Sequence, residues 1–147
     1  MENAKKVGEL KSLSLEGIKE VLPHRGRWLL LKEVIFLEKD IIGVATDFSK
    51  ELCEGHFEKR LIVPGALLAE AMKQAAAFMV MFYSAEDVLP MIRKETFSYK
   101  MIVLPEERIE IEVRLNKEKN SFYFFEGEMK KGDLVVMKGE FVGVRIK

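Results

Sequence analysis

Polar and apolar residues alternate without interruption over residues 108–115, which is the pattern of a β-strand with one face in water. Other segments are rich in branched and aromatic residues and are separated by short polar breaks that favour turns. They predict strands over residues 28–37, 41–48, 97–103, 121–129 and 134–146, with connections at 38–40, 116–120 and 130–133. The chain therefore has enough strands for one antiparallel sheet.

A different pattern begins at Pro64-Gly65, where Ala, Leu and Met dominate residues 66–83. These residue types favour helix, so the segment predicts an α-helix roughly 28 Å long. Only Glu70, Lys73 and Gln74 interrupt its apolar surface. A helix that is apolar nearly all round has to be enclosed by other elements, so we expect the sheet to cover it.

A shorter helix is predicted over residues 14–22, because Ser14 can cap its start and Pro23 ends it. The order of elements is then helix, two strands, long buried helix and three or four further strands. The predicted fold class is α+β, with an antiparallel β-sheet wrapped around a long central α-helix.

The length of 147 residues and the mass of 16.9 kDa fit a single domain, with residues 1–12 as a flexible or variable extension. The 24 basic and 24 acidic residues cancel, which argues against nucleic-acid binding. One cysteine, Cys53, excludes an internal disulfide, and two histidines are a poor basis for a transition-metal site. The longest uninterrupted apolar run, residues 75–83, is too short to span a membrane, and no secretory signal is visible, so we expect a cytoplasmic protein.

Candidate chemistry lies in two neighbouring segments. His56 follows Gly55 in a loop before the long helix, where an imidazole could face a cavity, although a lone loop histidine is more often structural. Glu70 falls on the second turn of the helix, where an enclosed carboxylate is costly unless paired or neutralised. Alternatively, Glu70, Lys73 and Gln74 form a narrow polar stripe in water, since their spacing places them on one helix face. Periodicity leaves both interpretations open.

Four ordered motifs resemble the 3-hydroxyacyl-[acyl-carrier-protein] dehydratases of fatty-acid synthesis, and the similarity runs from about Leu15 to the C-terminus. They are Leu22-Pro23-His24-Arg25, Gly55-His56-Phe57, Val63-Pro64-Gly65 and Glu70-Ala71-Met72-Lys73-Gln74. The resemblance implies a hot-dog fold and no metal or redox cofactor. It also implies an acyl carrier protein as partner and a homodimer, with a trimer of dimers as the larger assembly.

The resemblance also implies roles for particular residues. His56 matches the catalytic histidine and Glu70 the catalytic glutamate, with the two residues of one site coming from different subunits. The backbone N–H of Gly65 would bind the thioester carbonyl at the start of the helix, where unpaired amide donors favour an anionic oxygen. Phe57, Pro64 and Gln74 are further candidates for substrate contact. By the same resemblance, His24 is structural and Cys53 is a small buried hydrophobic residue.

The implied reaction is dehydration of a (3R)-3-hydroxyacyl thioester to the trans-2-enoyl thioester by acid–base catalysis. Two alternatives remain open. A hot-dog thioesterase would use Glu70 as base or nucleophile and Gly65 as oxyanion donor, and a non-catalytic module would bind acyl thioesters without turnover.

Several positions depart from the motifs of the family. Residues 58–61 replace a Pro-Gly-x-Pro segment after His56, and Gly26-Arg27-Trp28 replaces a segment with an aromatic near the acyl tunnel. Lys73 stands where a small residue is usual, and its ammonium could hold Glu70 ionised or point to solvent. Basic residues near the expected entrance are candidates for docking an acidic carrier protein. They are Arg25, Arg27, Lys59 and Arg60.

Overall fold

The computed structural model describes residues 14–57, 59–84 and 88–146; the extension predicted for residues 1–12 lies outside them. The helices within these residues are α1 (Leu15–Val21), α2 (Lys50–Cys53) and α3 (Gly65–Tyr83), with a 3₁₀ turn at Gly26–Trp28. The strands are β1 (Glu33–Glu38), β2 (Ile41–Thr46), β3 (Leu89–Tyr99), β4 (Ile109–Lys119), β5 (Phe122–Lys131) and β6 (Leu134–Ile146).

The six strands form one antiparallel sheet in the order β1-β2-β4-β5-β6-β3. Helix α3 packs against four of these strands, β2, β3, β4 and β5. Its buried side chains, among them Met72, Phe78 and Met79, form the core together with the inward residues of the alternating strands. The predicted plan of one sheet around one long helix is confirmed.

Two glycines allow α3 to approach the sheet closely. Gly127 on β5 and Gly139 on β6 are directly paired across the two strands. A Cβ built on Gly127 would lie 2.6 Å from the sulfur of Met72, and one built on Gly139 would overlap the ring of Phe97. Because real Cβ atoms do not approach other atoms so closely, Met72 of α3 and the ring of Phe97 on β3 can occupy their positions only because residues 127 and 139 have no side chain.

Gly139→Ala is therefore expected to lower the free energy of unfolding by about 1–3 kcal/mol, since it overpacks a filled site. Chemical denaturation of the purified variant would measure the change. Gly143→Ala on the same strand is the matched control, because a Cβ there would have its nearest neighbour at an ordinary 3.5 Å. Equal stability of the two variants would show that a Cβ at position 139 is not crowded by the Phe97 ring.

The first predicted strand begins later than expected, at Glu33 rather than at residue 28. In the preceding segment, the backbone of Leu30 makes its hydrogen bonds to side chains instead of to a neighbouring strand. The N–H of Leu30 donates to Gln74 Oε1 at 3.0 Å, and the Leu30 carbonyl accepts from the hydroxyl of Thr46. Such long-range contacts between backbone and side chain leave no periodic signal in the sequence.

The strand predicted over residues 97–103 is also misplaced, because β3 runs from Leu89 to Tyr99. As an edge strand with mostly exposed side chains it lacks clear alternation, and it tolerates Pro90 because its outer side has no partner strand. The apolar residues beyond Tyr99 belong to a loop that packs on the core. There, Val103 is buried and its carbonyl accepts from the N–H of Val63 at 2.8 Å.

The sheet covers helix α3 as the sequence predicts, but one side of the helix is left uncovered. By length and composition it could cross a membrane, but 61% of its apolar stretch is buried inside the fold, as is typical of a core helix. One stripe of its surface remains accessible, because Ala66 is exposed and the other members are only half-buried. The stripe consists of Ala66, Glu70, Lys73, Ala77 and Met81. The sheet therefore covers most of the helix and leaves this stripe accessible in the single chain.

Candidate active site

The His56 loop lies between α2 and α3 and has an unusual backbone. Gly55 and Phe57 on either side of the histidine both adopt left-handed conformations, with φ of +86° and +65°. For Phe57 this conformation is strained, and such strain is typical of functional loops. The His56 N–H donates to the carbonyl of Cys53 at 3.0 Å, which anchors the loop to the end of α2.

The imidazole of His56 is half-buried and has one ring nitrogen committed. Its Nδ1 lies 2.8 Å from the carbonyl oxygen of Ile62. A carbonyl only accepts, so Nδ1 carries the proton in this hydrogen bond and the neutral ring presents the lone pair of Nε2. This arrangement provides a base at Nε2. The ring also contacts Phe57 at a centroid distance of 4.5 Å, while 62% of the surface of Phe57 is exposed.

Glu70 is half-buried on α3 and is held by its neighbour one turn later. Gln74, only 1% exposed, donates from Nε2 to Glu70 Oε2 at 3.3 Å and to the Trp28 carbonyl at 2.6 Å. Its Oε1 accepts from the N–H of Leu30. The amide of Gln74 is thus engaged with protein groups and holds one oxygen of the Glu70 carboxyl.

Glu70 lines a cavity of about 380 Å³ between α3 and strand β3. One part of the wall is polar and contains His24, Glu70, Lys73 and Gln74. The remainder is mainly apolar and consists of Ala76, Ala77, Met81, Leu89, Pro90, Met91, Ile92, Phe125 and Gly143. A cavity of this size with a few polar groups at one part is typical of a site for a small molecule with an apolar chain.

Lys73 neither pairs with Glu70 nor points freely to solvent, the two outcomes that the sequence left open. Its ammonium donates to Glu95 of β3 at 2.8 Å and lies 5.8 Å from the ring centroid of Phe97. The ion pair therefore joins the central helix to the edge strand beside the cavity. Glu95 was not predicted as part of the site, because it lies 22 residues from Lys73 on a strand without a clear pattern.

Gly65 is the first residue of α3, preceded by the half-buried Pro64. The N–H groups of Leu67 and Leu68 in the first turn donate to the Pro64 carbonyl at 2.9 and 3.3 Å, whereas the N–H of Gly65 precedes the first hydrogen bond of the helix and is available to an anionic oxygen. The ring of Tyr99 covers Gly65, and its hydroxyl donates to the Gly65 carbonyl at 3.3 Å. Burial, with a contribution from Glu95, raises the pKa of Tyr99, so the phenol stays a donor at neutral pH.

The remaining predicted residues are placed as follows. Cys53 is buried, as expected, and burial raises the pKa of its thiol, so it packs as a small hydrophobic residue. Arg25, Arg27, Lys59 and Arg60 are all exposed, and Arg25 also donates to backbone carbonyls of α1 and of the segment after it. Glu58, in the altered loop, lies outside the described residues.

His56 and Glu70 do not share this cavity within one chain. Among the described residues that line it, Glu70 is present and His56 is absent. A second depression of about 410 Å³ lies on the outer face of the sheet and is lined by charged side chains such as Glu112 and Arg114. Its charged walls do not suit an acyl chain. In the described part of the chain, no group of three or more His, Cys, Asp or Glu residues could hold a metal ion.

The geometry defines a hot-dog fold with a carboxylate at the polar part of an apolar cavity. A family model described as a FabA-like domain matches residues 22–140, and the chain belongs to this family. The resemblance predicted from the four motifs is thereby confirmed.

Individual proteins agree with the family assignment. The 3-hydroxyacyl-[acyl-carrier-protein] dehydratase FabZ of Coxiella burnetii is 27% identical over 141 residues, which cover 90% of this chain and 99% of the relative. FabZ of Thermoanaerobacter sp. is 31% identical, with 86% and 93% covered. Among solved structures, the dehydratase heterocomplex ApeI:P from Xenorhabdus doucetiae matches with a TM-score of 0.75 at 20% identity, covering 88% of this chain and 91% of that one.

Proposed function

We propose that this protein dehydrates (3R)-3-hydroxyacyl thioesters to trans-2-enoyl thioesters, with an acyl carrier protein holding the acyl chain. The observation that carries the proposal is Glu70 at the polar part of an apolar cavity, in a chain whose relatives are named as dehydratases of this kind. The apolar wall suits the acyl chain and the carboxyl suits its hydroxyl. The fold alone does not decide the reaction, because one fold hosts many functions.

In the proposed reaction, Nε2 of His56 removes a proton from the carbon next to the thioester carbonyl. Glu70, carrying a proton, gives it to the 3-hydroxyl, and the carbon–oxygen bond breaks to release water. The electron pair of the broken carbon–hydrogen bond becomes the new double bond. The N–H of Gly65 stabilises the negative charge that develops on the thioester oxygen. Gln74 donates to one oxygen of Glu70, which leaves the other for the transferred proton.

The site we propose is completed by a second copy of the chain. Two features of the single chain support this homodimer. The accessible stripe on α3 includes Glu70 itself, and edge strand β3 exposes the apolar side chains of Leu89 and Met91 beside the same cavity. Exposed apolar patches and open strand edges are usually covered by a partner. Assembly into a trimer of dimers remains a prediction from the resemblance alone, and a cytoplasmic location remains a prediction from the sequence.

The proposal is tested by hydratase activity in the reverse direction, followed as loss of absorbance of a crotonoyl thioester by the purified protein. We expect turnover without release of free thiol. Thiol release from a saturated acyl thioester would instead identify a thioesterase. Stabilisation of the protein by acyl thioesters without any turnover would identify a binding module. Either of these two results would overturn the proposal.

Reversing the charge of Lys59 and Arg60 together is expected to slow turnover of substrate on a carrier protein by roughly 10-fold at low salt. Both residues are exposed, and surface charges mainly raise the rate of association with an acidic partner. Turnover of a small pantetheine thioester serves as the control and should not change. If carrier-dependent turnover and its dependence on salt are also unaltered, docking does not involve these residues.

A further inference from the structure

Lys73 places a positive charge next to the carboxyl that acts in the proposed reaction. Lys73 and Glu70 are three positions apart on α3, both belong to its accessible stripe, and both line the same cavity. Residues at this spacing are neighbours on a helix surface, with about 5–6 Å between their Cβ atoms. Because the four-carbon stem of lysine is flexible, the ammonium has two places to go, the Glu70 carboxyl or a group on the neighbouring strand.

Contacts from the edge strand β3 decide between these two positions. Glu95 accepts from the ammonium of Lys73 at 2.8 Å, and the ring centroid of Phe97 lies 5.8 Å from the same ammonium. A carboxylate and the face of an aromatic ring both attract a cation. They draw the side chain of Lys73 toward β3, and among the described residues no ion pair joins it to Glu70.

Lys73 is the only lysine or arginine of the described residues that lines the cavity with Glu70. The wall holds one further titratable side chain, His24, from the segment after α1. Strands β5 and β6 contribute uncharged residues, and the cations Arg93 and Lys94 of β3 are not part of the wall. In the homodimer we propose, a second copy covers the stripe, and the exclusion of water strengthens the interaction between charges there.

We infer that Glu95 is a positioning residue for catalysis, which pairs with Lys73 and so keeps the ammonium away from Glu70. The inference rests on the proposed function, in which Glu70 carries the proton that it gives to the 3-hydroxyl. An ammonium beside Glu70 would favour the ionised carboxylate. It would stabilise the resting enzyme more than the transition state, in which the carboxyl shares its proton, and so it would slow the reaction in both directions.

The test separates the loss of the ion pair from the release of the ammonium. Glu95→Gln keeps the shape of the side chain but removes the charge that holds Lys73. We expect kcat/KM for the hydration of a crotonoyl thioester to fall by about 3- to 10-fold in this variant. Lys73→Met breaks the same ion pair without leaving a cation and should be the milder change. In the double variant Lys73→Met/Glu95→Gln no ammonium remains, so most of the lost activity should return.

A purely structural role of the ion pair predicts a different outcome. If the pair only held β3 against α3, Lys73→Met and Glu95→Gln would be impaired equally, and the double variant would not recover. That result would overturn the inference, as would full activity of Glu95→Gln.

Carbon NMR of protein labelled at the side-chain carboxyl of glutamate tests the placement of Lys73 without turnover. The signal of Glu70 is the one that is lost in Glu70→Gln. Since a nearby cation favours the carboxylate, the titration curve of this signal should lie at lower pH in Glu95→Gln than in wild type, and it should return in the double variant. An unmoved curve counts against the inference. A curve that moves as expected in a protein without dehydratase activity would overturn the proposed function instead, so the two proposals can fail separately.

Discussion

Glu70→Gln is expected to lower kcat for the hydration of a crotonoyl thioester by about 10²–10⁴-fold, and His56→Ala by a similar factor. The amide of glutamine has the shape of the carboxyl but cannot give up or take a proton. Alanine at position 56 has no imidazole, so the Nε2 lone pair that would act as the base is lost. In wild type that nitrogen is available because Nδ1 is hydrogen-bonded to the Ile62 carbonyl. Steady-state kinetics of the purified variants would measure both effects.

The loss should appear in kcat more than in KM, because proton transfer acts in the transition state and not in binding of the thioester. Glu112→Gln on the outer face of the sheet is the control for the same chemical change at an exposed position, and it should keep full activity. Nearly wild-type rates in both site variants would mean that neither residue transfers a proton. The family assignment would then remain, but the proposed mechanism would not.

The main elements of the fold are predictable from local pattern. Helix α3 is predicted by its run of helix-forming residues and strand β4 by strict alternation, because the residue types of each element follow its own pattern of burial. Strand β3 is not predicted correctly. It is held by pairing with β6 along its whole length, and this pairing requires little regularity in its own side chains. Edge strands therefore have the least recognisable sequence pattern in a fold of this kind.

The residues of the candidate site likewise include some that the sequence predicts and others that it does not. His56 and Glu70 are found from motifs, because their residue types and spacing match those of a known family. Their partners are not found from motifs, since the carbonyl of Ile62 is a backbone group and Glu95 meets Lys73 only through the tertiary fold.

Mixing two inactive variants is expected to restore activity. The experiment tests whether one site takes residues from two subunits. Co-expressed His56→Ala and Glu70→Gln chains should form mixed dimers in which one of the two sites contains both wild-type residues. Random assembly would then give about a quarter of wild-type activity per subunit, a rise of at least about 25-fold over either variant alone. Activity of the unseparated mixture would measure this value, and the mixed dimer isolated through two different affinity tags should retain about half of wild-type activity per subunit.

The control is co-expression of His56→Ala with the double variant His56→Ala/Glu70→Gln, since no dimer of these chains has an intact site. If His56 and Glu70 of a single chain formed the site, mixed dimers of the first pair would also lack any intact site and would stay inactive. We propose the shared arrangement because Glu70 lines a cavity that His56 of the same chain does not line, and that cavity lies beside the accessible stripe of α3. An inactive mixed dimer would therefore contradict both the shared site and the reason proposed for dimer formation.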